Sequence, residues 1–411
     1  MKPTDIVYLF LILLLIWGCK IKFRPREFHE DYLSLDSMKS LRGLAAIGVI
    51  LHHISQEQIF QKNGELSVFL NAGAFFVALF FFCSGYGLIV SLNKKSNYFE
   101  GFFKKRIVKG ILIAFYVDIV IYGIVYLIDG VKFKVPQFLF NLSGLTMMNV
   151  YAWFPITLAF LYVAFYLIFK NVKNHKAGYA LMFLFIAVLA AIFCVTGHFA
   201  WWSGSKNWWF YGMPSAPWWK QEKVFWFHGE WWVNSAPAFL VGIIYGDNKD
   251  KITAWFKKLY PVKLILLIAV NYGLSVLSAY GQSKFGYWTE YSGMGPGIKE
   301  KALTYLCQFP QLAVFPLLII VIMMKIKISN PITNFYGKYS LNTYLMNLLA
   351  IEHLRLLQSN TTSFVKAGQW NTLIYAIAVI LASTLLGVIE YHIVDFIKKK
   401  AFADKKAKKE V

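Results

Sequence analysis

The two residues best suited to do chemistry lie in one apolar helix. Arg42 and His53 are eleven residues apart in the segment 40–53. Eleven residues rotate a helix about 20° beyond three full turns and rise about 16 Å, so the two side chains share a face, whereas His52 lies about 80° away. An ionisable side chain this deep in an apolar helix is costly, which makes His53 a functional candidate. The alternative is a histidine that only hydrogen-bonds between packed helices.

The composition indicates which class of protein positions this pair. Of 411 residues, 58% are hydrophobic and 15% charged, which predicts an all-α polytopic membrane protein. The weakest of about eleven predicted transmembrane helices is 233–246, because its apolar run is shorter than the roughly 20 residues that a span needs. The predicted spans are 5–20, 41–58, 66–92, 107–128, 152–170, 178–197, 233–246, 262–280, 301–324, 339–357 and 371–397.

Positive charge predicts the orientation, because Lys and Arg in short connections stay cytoplasmic. This rule places the N-terminus outside and the C-terminus in the cytosol. The net charge of +21 then follows from topology and from attraction to anionic membrane lipids, and it implies no nucleic acid partner. The predicted cytoplasmic segments, which hold most of the Lys and Arg, are 20–40, 93–106, 170–177, 247–261, 325–338 and 398–411.

The cysteines and the first apolar segment argue against disulfides, a metal site and a cleaved signal peptide. The four cysteines are scattered in or beside predicted spans, so neither a disulfide framework nor a metal site is expected. The segment 5–20 could be a signal peptide. Its basic flank follows the apolar run instead of preceding it, which favours an uncleaved membrane anchor.

Several motifs together resemble the acyltransferase 3 family of integral membrane enzymes. In that family an Arg, ten intervening residues and a His open the first core helix, as Arg42 and His53 do here. The further matches, in order, are Phe80–Tyr86, Phe103–Lys109, Trp153-Phe154, Ser340–Leu345 and Ile389-Glu390. The departures from the family pattern are Ala78, Lys109, Asn347 and Tyr391-His392, which indicate a divergent branch and bear on the acceptor more than on the chemistry.

The resemblance implies an architecture and an activity. It predicts a ten-helix domain over 38–397, preceded by an extra transmembrane helix and cytoplasmic linker at 1–37 and followed by a basic tail at 398–411. The implied activity is that of a membrane O-acyltransferase in the bacterial cytoplasmic membrane. The enzyme would move an acyl group, with acetyl expected, from acyl-CoA to a hydroxyl of a cell-envelope glycan or glycolipid.

A cytosolic acyl-CoA donor carries phosphates, so its site needs cations at the cytoplasmic end. The candidates for this donor site are Arg42, Lys105, Arg106 and Lys109, with Lys104 beside them. Arginine can grip phosphate through two hydrogen bonds, whereas lysine acts as a point charge. The alternative for the lysines is that they only anchor the helix end by the positive-inside rule.

His53 is the predicted general base, with Arg42 as its catalytic companion, because its near-neutral pKa suits removal of a hydroxyl proton. Direct transfer and a relay through an acyl-enzyme both remain open. The resemblance assigns Ser84, Trp153, Tyr344 and Glu390 to substrate binding. Each has a structural alternative: a bond from Ser84 to a helix carbonyl, aromatic packing, or pairing of Glu390 near a helix end.

Two further features are open. Asp118 lies mid-span and could orient His53 or pair with a cation. The outer loop 198–232 holds nine of the fourteen tryptophans, which are typical of a membrane interface or of a platform for the acceptor. Two other functions fit a many-span protein of this kind: a transporter or flippase of an envelope precursor, and a membrane glycan polymerase.

Overall fold

A computed structural model describes Lys2 and residues 4–131, 135–145, 147–197, 229–286, 297–360 and 369–402. Helices dominate these ranges. In chain order the elements are α1 Asp5–Ile16, β1 Cys19–Ile21, α2 Leu35–Ser55, α3 Gln58–Asn63, α4 Gly73–Lys94, a π-helix Phe103–Leu112, α5 Ile113–Ile128, α6 Val135–Ser143, α7 Trp153–Asn171, α8 His175–Thr196, α9 Trp231–Asn234, α10 Pro237–Asp247, α11 Lys249–Lys257, α12 Tyr260–Phe285, α13 Ile298–Met323, β2 Ile326–Ile328, α14 Pro331–Asn360 and α15 Gln369–Ala401.

The helices confirm an all-α multi-pass membrane protein. Each predicted span overlaps a helix, and seven helical segments of the described chain are long and apolar enough to cross a membrane. A total of eleven spans is not established. The predicted span 233–246 forms α10, whose 11 residues rise only about 17 Å, less than the hydrocarbon thickness of about 30 Å.

Two close helix crossings hold the interior together, and each depends on a pair of glycines. A methyl group added at Gly43 of α2 would lie 1.8 Å from the carbonyl oxygen of Thr333, and one at Gly337 of α14 would lie 2.0 Å from that of Lys39. Gly85 of α4 and Gly242 of α10 form a second crossing of the same kind. The small residues let the backbones touch, which is how membrane helices associate closely.

The six connections that the charge rule assigns to the cytosol contact one another at one end of the bundle. Strand β1 pairs antiparallel with β2, which joins 20–40 to 325–338. Side-chain contacts join the remaining connections, and the pairs are Lys257–Glu30, Asn93–Asp247, His175–Asp247 and Lys104–Phe402. All of the predicted inner segments therefore lie on the same side.

Helix α1 is fastened to the rest of the chain at this end. The side-chain amide of Asn330 donates to the carbonyl oxygens of Leu14 and Trp17, both at 2.9 Å, and so caps the end of α1. Val7 of α1 packs in a buried cluster with Ala46 and Ile50 of α2. Helix α1 thus supports the helix that carries Arg42 and His53.

Candidate active site

A chain of three side chains fixes the His53 ring. Nδ1 of His53 lies 2.6 Å from Oδ1 of Asn347, and Nδ2 of Asn347 donates to Oγ of Ser383 at 3.0 Å. In this orientation of the amide, Oδ1 can only accept, so Nδ1 of His53 carries the proton and Nε2 is the basic nitrogen. The three residues come from α2, α14 and α15. His53 is thus held in one tautomer by groups from two neighbouring helices.

The depth of His53 follows from its partners. Helix α2 ends two residues after His53, at Ser55. Asn347 and Ser383, however, lie near the middle of α14 and α15, which are 30 and 33 residues long. The imidazole therefore sits inside the bundle, and only 8% of the residue is exposed.

Two tyrosines, Tyr151 and Tyr344, form an aromatic layer over one face of the His53 ring. Tyr151 stacks on it, with ring centroids 3.8 Å apart and planes 14° apart. The hydroxyl of Tyr344 donates to the carbonyl oxygen of Tyr151 at 2.6 Å, so Tyr344 contributes to the site by holding this layer in place. Trp153 follows at the start of α7, where it is buried edge-on to Phe154.

Asp118 acts on the aromatic layer through another residue. Its Oδ1 accepts a hydrogen bond from Nδ2 of Asn149 at 2.9 Å, and the same nitrogen also donates to the carbonyl oxygen of Leu345 at 2.8 Å. Oδ1 of Asn149 accepts from the backbone N–H of Tyr151 at 3.0 Å. In the described ranges the partner of His53 is Asn347, whereas Asp118 fixes the turn that carries Tyr151.

His52 faces different neighbours. Its Nδ1 lies 2.8 Å from the carbonyl oxygen of Phe69. Its ring also covers Gly73, where an added methyl group would lie 2.4 Å from the imidazole. The two imidazoles lie near each other, with ring centroids 5.3 Å apart, but their Nδ1 atoms have different partners, and His53 is the one bonded to Asn347.

Arg42 lies at the other end of the α2 face, among polar groups of α4 and α7. Its guanidinium acts electrostatically on Cys83 and Tyr162. Its Nε is buried and has no hydrogen-bond partner among the described residues. Since buried polar groups in folded proteins are normally paired, this nitrogen is suited to a group that comes from outside the chain.

Arg106 converges on the same tyrosine. Like Arg42, it acts electrostatically on Tyr162, and Ser84 lies beside the Tyr162 hydroxyl. Nη2 of Arg106 donates to Oγ of Ser91 at 3.2 Å, and its guanidinium lies 5.7 Å from the centre of the Tyr98 ring. Arg42 and Arg106 thus both lie within electrostatic range of Tyr162, next to Ser84.

The lysines near Arg106 divide into two groups. Lys109 and Lys104 lie over the Phe402 ring, at 4.3 and 5.1 Å from its centre. Lys105 donates to the carbonyl oxygen of Glu100 at 3.3 Å and is exposed. All three belong to the π-helix, a rare form that widens the turn and often occurs at functional sites.

Glu390 is a buried carboxylate of α15, with Asn342 beside it. It is fully buried, and neither carboxylate oxygen has a hydrogen-bond partner among the described residues. Asp118 and Asn342 lie near enough to act on it electrostatically, and so does Lys398 further along α15. The same residue set includes no group of three or more His, Cys, Asp or Glu side chains that could hold a metal ion.

Sequence reasoning missed several residues of the site. Asn347 was visible only as a departure from the family pattern, three residues after Tyr344, and Ser383 only as a polar residue in an apolar run. Nothing in the sequence singled out Tyr151, Asn149 or Tyr162. Most of the tryptophan-rich loop 198–232 lies outside the described residues.

Comparison with known proteins bears on what this arrangement does. A family model described as an acyltransferase domain, that of the acyltransferase 3 family, matches residues 35–392. Comparison with curated proteins and with solved structures gave no match. The matched region contains both ends of the α2 face together with Asn347 and Ser383, whereas α1 lies before it.

Proposed function

The chain belongs to the acyltransferase 3 family, and from this membership we propose that it is an O-acyltransferase of the cell envelope. The donor is a cytosolic acyl-CoA, with acetyl as the expected group, and the acceptor is a hydroxyl of an envelope glycan or glycolipid. We also propose the division into 1–37, 38–397 and 398–411, and the bacterial cytoplasmic membrane as the location.

The hydrogen-bonded chain His53–Asn347–Ser383 is the observation that carries the proposal. With its proton on Nδ1, His53 offers Nε2 as a general base. Nε2 takes the proton of the acceptor hydroxyl while the hydroxyl oxygen attacks the thioester carbonyl. The carbon–sulfur bond then breaks, and the proton passes from Nε2 to the CoA thiolate. Direct transfer of this kind needs no acyl-enzyme.

The Arg42 end fits the donor. Arg42 and Arg106 both lie within electrostatic range of Tyr162, and arginine side chains are suited to phosphate groups. The helical rise from Arg42 to His53 is about 16 Å, which suits an extended pantetheine arm. We propose that these arginines bind the CoA phosphates, with Lys109 and Lys105 at the rim of that site, and that Ser84, Trp153, Tyr344 and Glu390 line the path of the substrates.

The acyl-transfer test uses the whole protein in its membrane. Envelope glycans and glycolipids from cells with and without the gene are compared by mass spectrometry, and membranes are supplied with acetyl-CoA labelled in the acetyl group. We expect a labelled, acetyl-sized mass difference on one envelope component. Transport of an unmodified precursor would support a flippase instead, and shorter glycan chains without loss of acyl groups would support a polymerase.

The orientation needs its own measurement. The four native cysteines are replaced, and single cysteines are placed at the exposed positions Lys62 and Lys95. An impermeant thiol reagent should label Lys62→Cys in intact cells and Lys95→Cys only after permeabilisation, because the charge rule assigns these positions to opposite sides. The reverse result would invert the proposed topology.

A further inference from the structure

The paired strands β1 and β2 display an unusual row of positive charge. Lys20 lies directly opposite Lys327 in the ladder. The next pair continues it, since the N–H of Lys22 donates to the carbonyl oxygen of Lys325 at 2.9 Å. Alternate residues of a strand point to the same side, so all four lysines occupy one face of this two-stranded ribbon. We call this surface the lysine face.

Like charges placed directly opposite each other destabilise a strand pair, so the lysine face needs compensation. Part of it comes from the chain. Lys327 forms an ion pair with Asp31, and Lys325 donates to the carbonyl oxygens of Arg24 at 2.5 Å and Glu27 at 2.6 Å. In the part of the chain that the structure describes, no hydrogen bond or ion pair engages the ammonium groups of Lys20 and Lys22.

The uncompensated lysines border a cavity of about 390 Å³, within the usual size range of ligand sites. Its lining residues are Lys20, Ile21, Lys22, His29, Asp31 and Lys327. His29 is fixed by a hydrogen bond from Nε2 to the carbonyl oxygen of Lys20, at 2.9 Å. The hydrogen bond from Lys327 holds the pKa of Asp31 below its usual value. Three lysines and one carboxylate thus line a cavity suited to an anion.

Exposed aromatic side chains that flank the lysines in the sequence indicate that the cavity lies near a lipid surface. Trp17, at the end of α1, is 51% exposed, and Phe23, just beyond β1, is 85% exposed. Exposed aromatic rings next to lysines are typical of the membrane–water interface. A site for a soluble anion would not need these apolar neighbours. Ser40, two residues before Arg42, donates to the carbonyl oxygen of Ile328 at 2.8 Å, so the ribbon lies at the Arg42 end of α2.

We propose that the lysine face and its cavity form a binding site for the phosphate of an anionic phospholipid headgroup. The ammonium groups of Lys20 and Lys22 pair with the phosphate, and the lipid chains lie against Trp17 and Phe23. Strand β1 precedes the matched family domain, so the extra N-terminal segment contributes two of the four lysines and five of the six residues that line the cavity. The site is independent of the proposed acyl transfer.

The test is a lipid titration of the purified full-length protein in detergent, read by native mass spectrometry. The probe is dioleoyl-phosphatidylglycerol, with dioleoyl-phosphatidylcholine as the uncharged control. Lys20→Gln/Lys22→Gln should weaken phosphatidylglycerol binding by roughly 30-fold, because each lysine beside an anionic headgroup contributes substantially to binding. Asp31→Asn should strengthen binding, since it removes the carboxylate of the cavity and releases Lys327.

The matched control is Lys94→Gln/Lys95→Gln, which removes two exposed lysines from another predicted inner connection. It should change binding less than threefold. Equal losses in both double variants would overturn the proposal, because they would show general charge attraction. Should the ribbon double variant fail to fold, Lys20→Gln alone and Asp31→Asn still give opposite expected shifts. A second titration uses adenosine 3′,5′-bisphosphate as a soluble phosphate. If the double variant Lys20→Gln/Lys22→Gln weakened binding of this compound but left phosphatidylglycerol binding unchanged, the site would bind a soluble phosphate and the proposal would be wrong.

Discussion

The two ends of the α2 face differ in how their polar groups are satisfied. At the His53 end, hydrogen bonds within the chain fix the ring: Nδ1 of His53 contacts Oδ1 of Asn347, Nδ2 of Asn347 donates to Ser383, and Tyr344 donates to the carbonyl oxygen of the stacked Tyr151. At the other end, Nε of Arg42 is buried without a partner among the described residues. The contrast indicates that the chain itself orients the His53 imidazole, whereas Nε of Arg42 is left available to a group from outside the chain.

The polar residues of the two ends also account for two helices, α2 and α14, that are less apolar than a typical membrane span. Helices α2 and α14 carry buried polar groups from both ends of the site, including Ser40, His53, Asn342 and Asn347. Neither is among the seven segments apolar enough to qualify. Helix α12 qualifies easily, and only Tyr260 and Gly281 of its 26 residues are buried. The two helices that carry Arg42, His53 and Asn347 are thus buried far more than α12.

The largest effect on acyl transfer is expected from removal of the His53 imidazole. His53→Ala should abolish acyl transfer while membrane insertion and CoA binding persist, because the donor docks at the Arg42 end. His52→Ala should keep most activity, since that ring bonds to Phe69 on another side of the helix. Acyl incorporation into the envelope at matched expression measures both. Substantial transfer by His53→Ala, or an inactive His52→Ala, would refute the assignment of the base.

The next test removes the partner of the base. Asn347→Leu should lower kcat by about 100-fold with little change in the KM for acyl-CoA, because the ring loses its fixed tautomer but the donor site is intact. Asn347→Asp should restore part of the loss, since a carboxylate oxygen still accepts from Nδ1. An unchanged kcat in Asn347→Leu would show that the hydrogen bond is structural only.

The sequence predicts the position of His53 on its helix but not the residues that contact its ring. The interval between Arg42 and His53 follows from helix geometry, and the apolar segments locate every helix that surrounds the pair. The partner of His53 lies 294 residues further along the chain, and the aromatic layer comes from a short turn. Such contacts depend on how helices pack, and a pattern within one helix carries no information about them.

At the donor end, the prediction concerns geometry more than charge. Arg42→Lys and Arg106→Lys should each weaken acyl-CoA binding by about tenfold, because the charge stays but the two-point grip on phosphate is lost. Calorimetric titration of CoA into purified variants measures this. If both Arg→Ala variants bound CoA normally, neither arginine would belong to the donor site, and the buried Nε of Arg42 would need another explanation.

The smallest expected effect is on CoA affinity, and it distinguishes Lys109 as a ligand contact from Lys105 as a membrane anchor. Lys105 donates to the carbonyl oxygen of Glu100 within its own connection, whereas Lys109 points toward Phe402 and lies near Lys398. Lys105→Ala should therefore change CoA affinity less than about twofold, as expected for an exposed charge that obeys the positive-inside rule. Lys109→Ala, at a half-buried position of the π-helix, should weaken CoA binding more. The same CoA titration decides the point: a larger loss in Lys105→Ala than in Lys109→Ala would move the donor phosphates to the exposed side of the π-helix, away from Tyr162 and the two arginines.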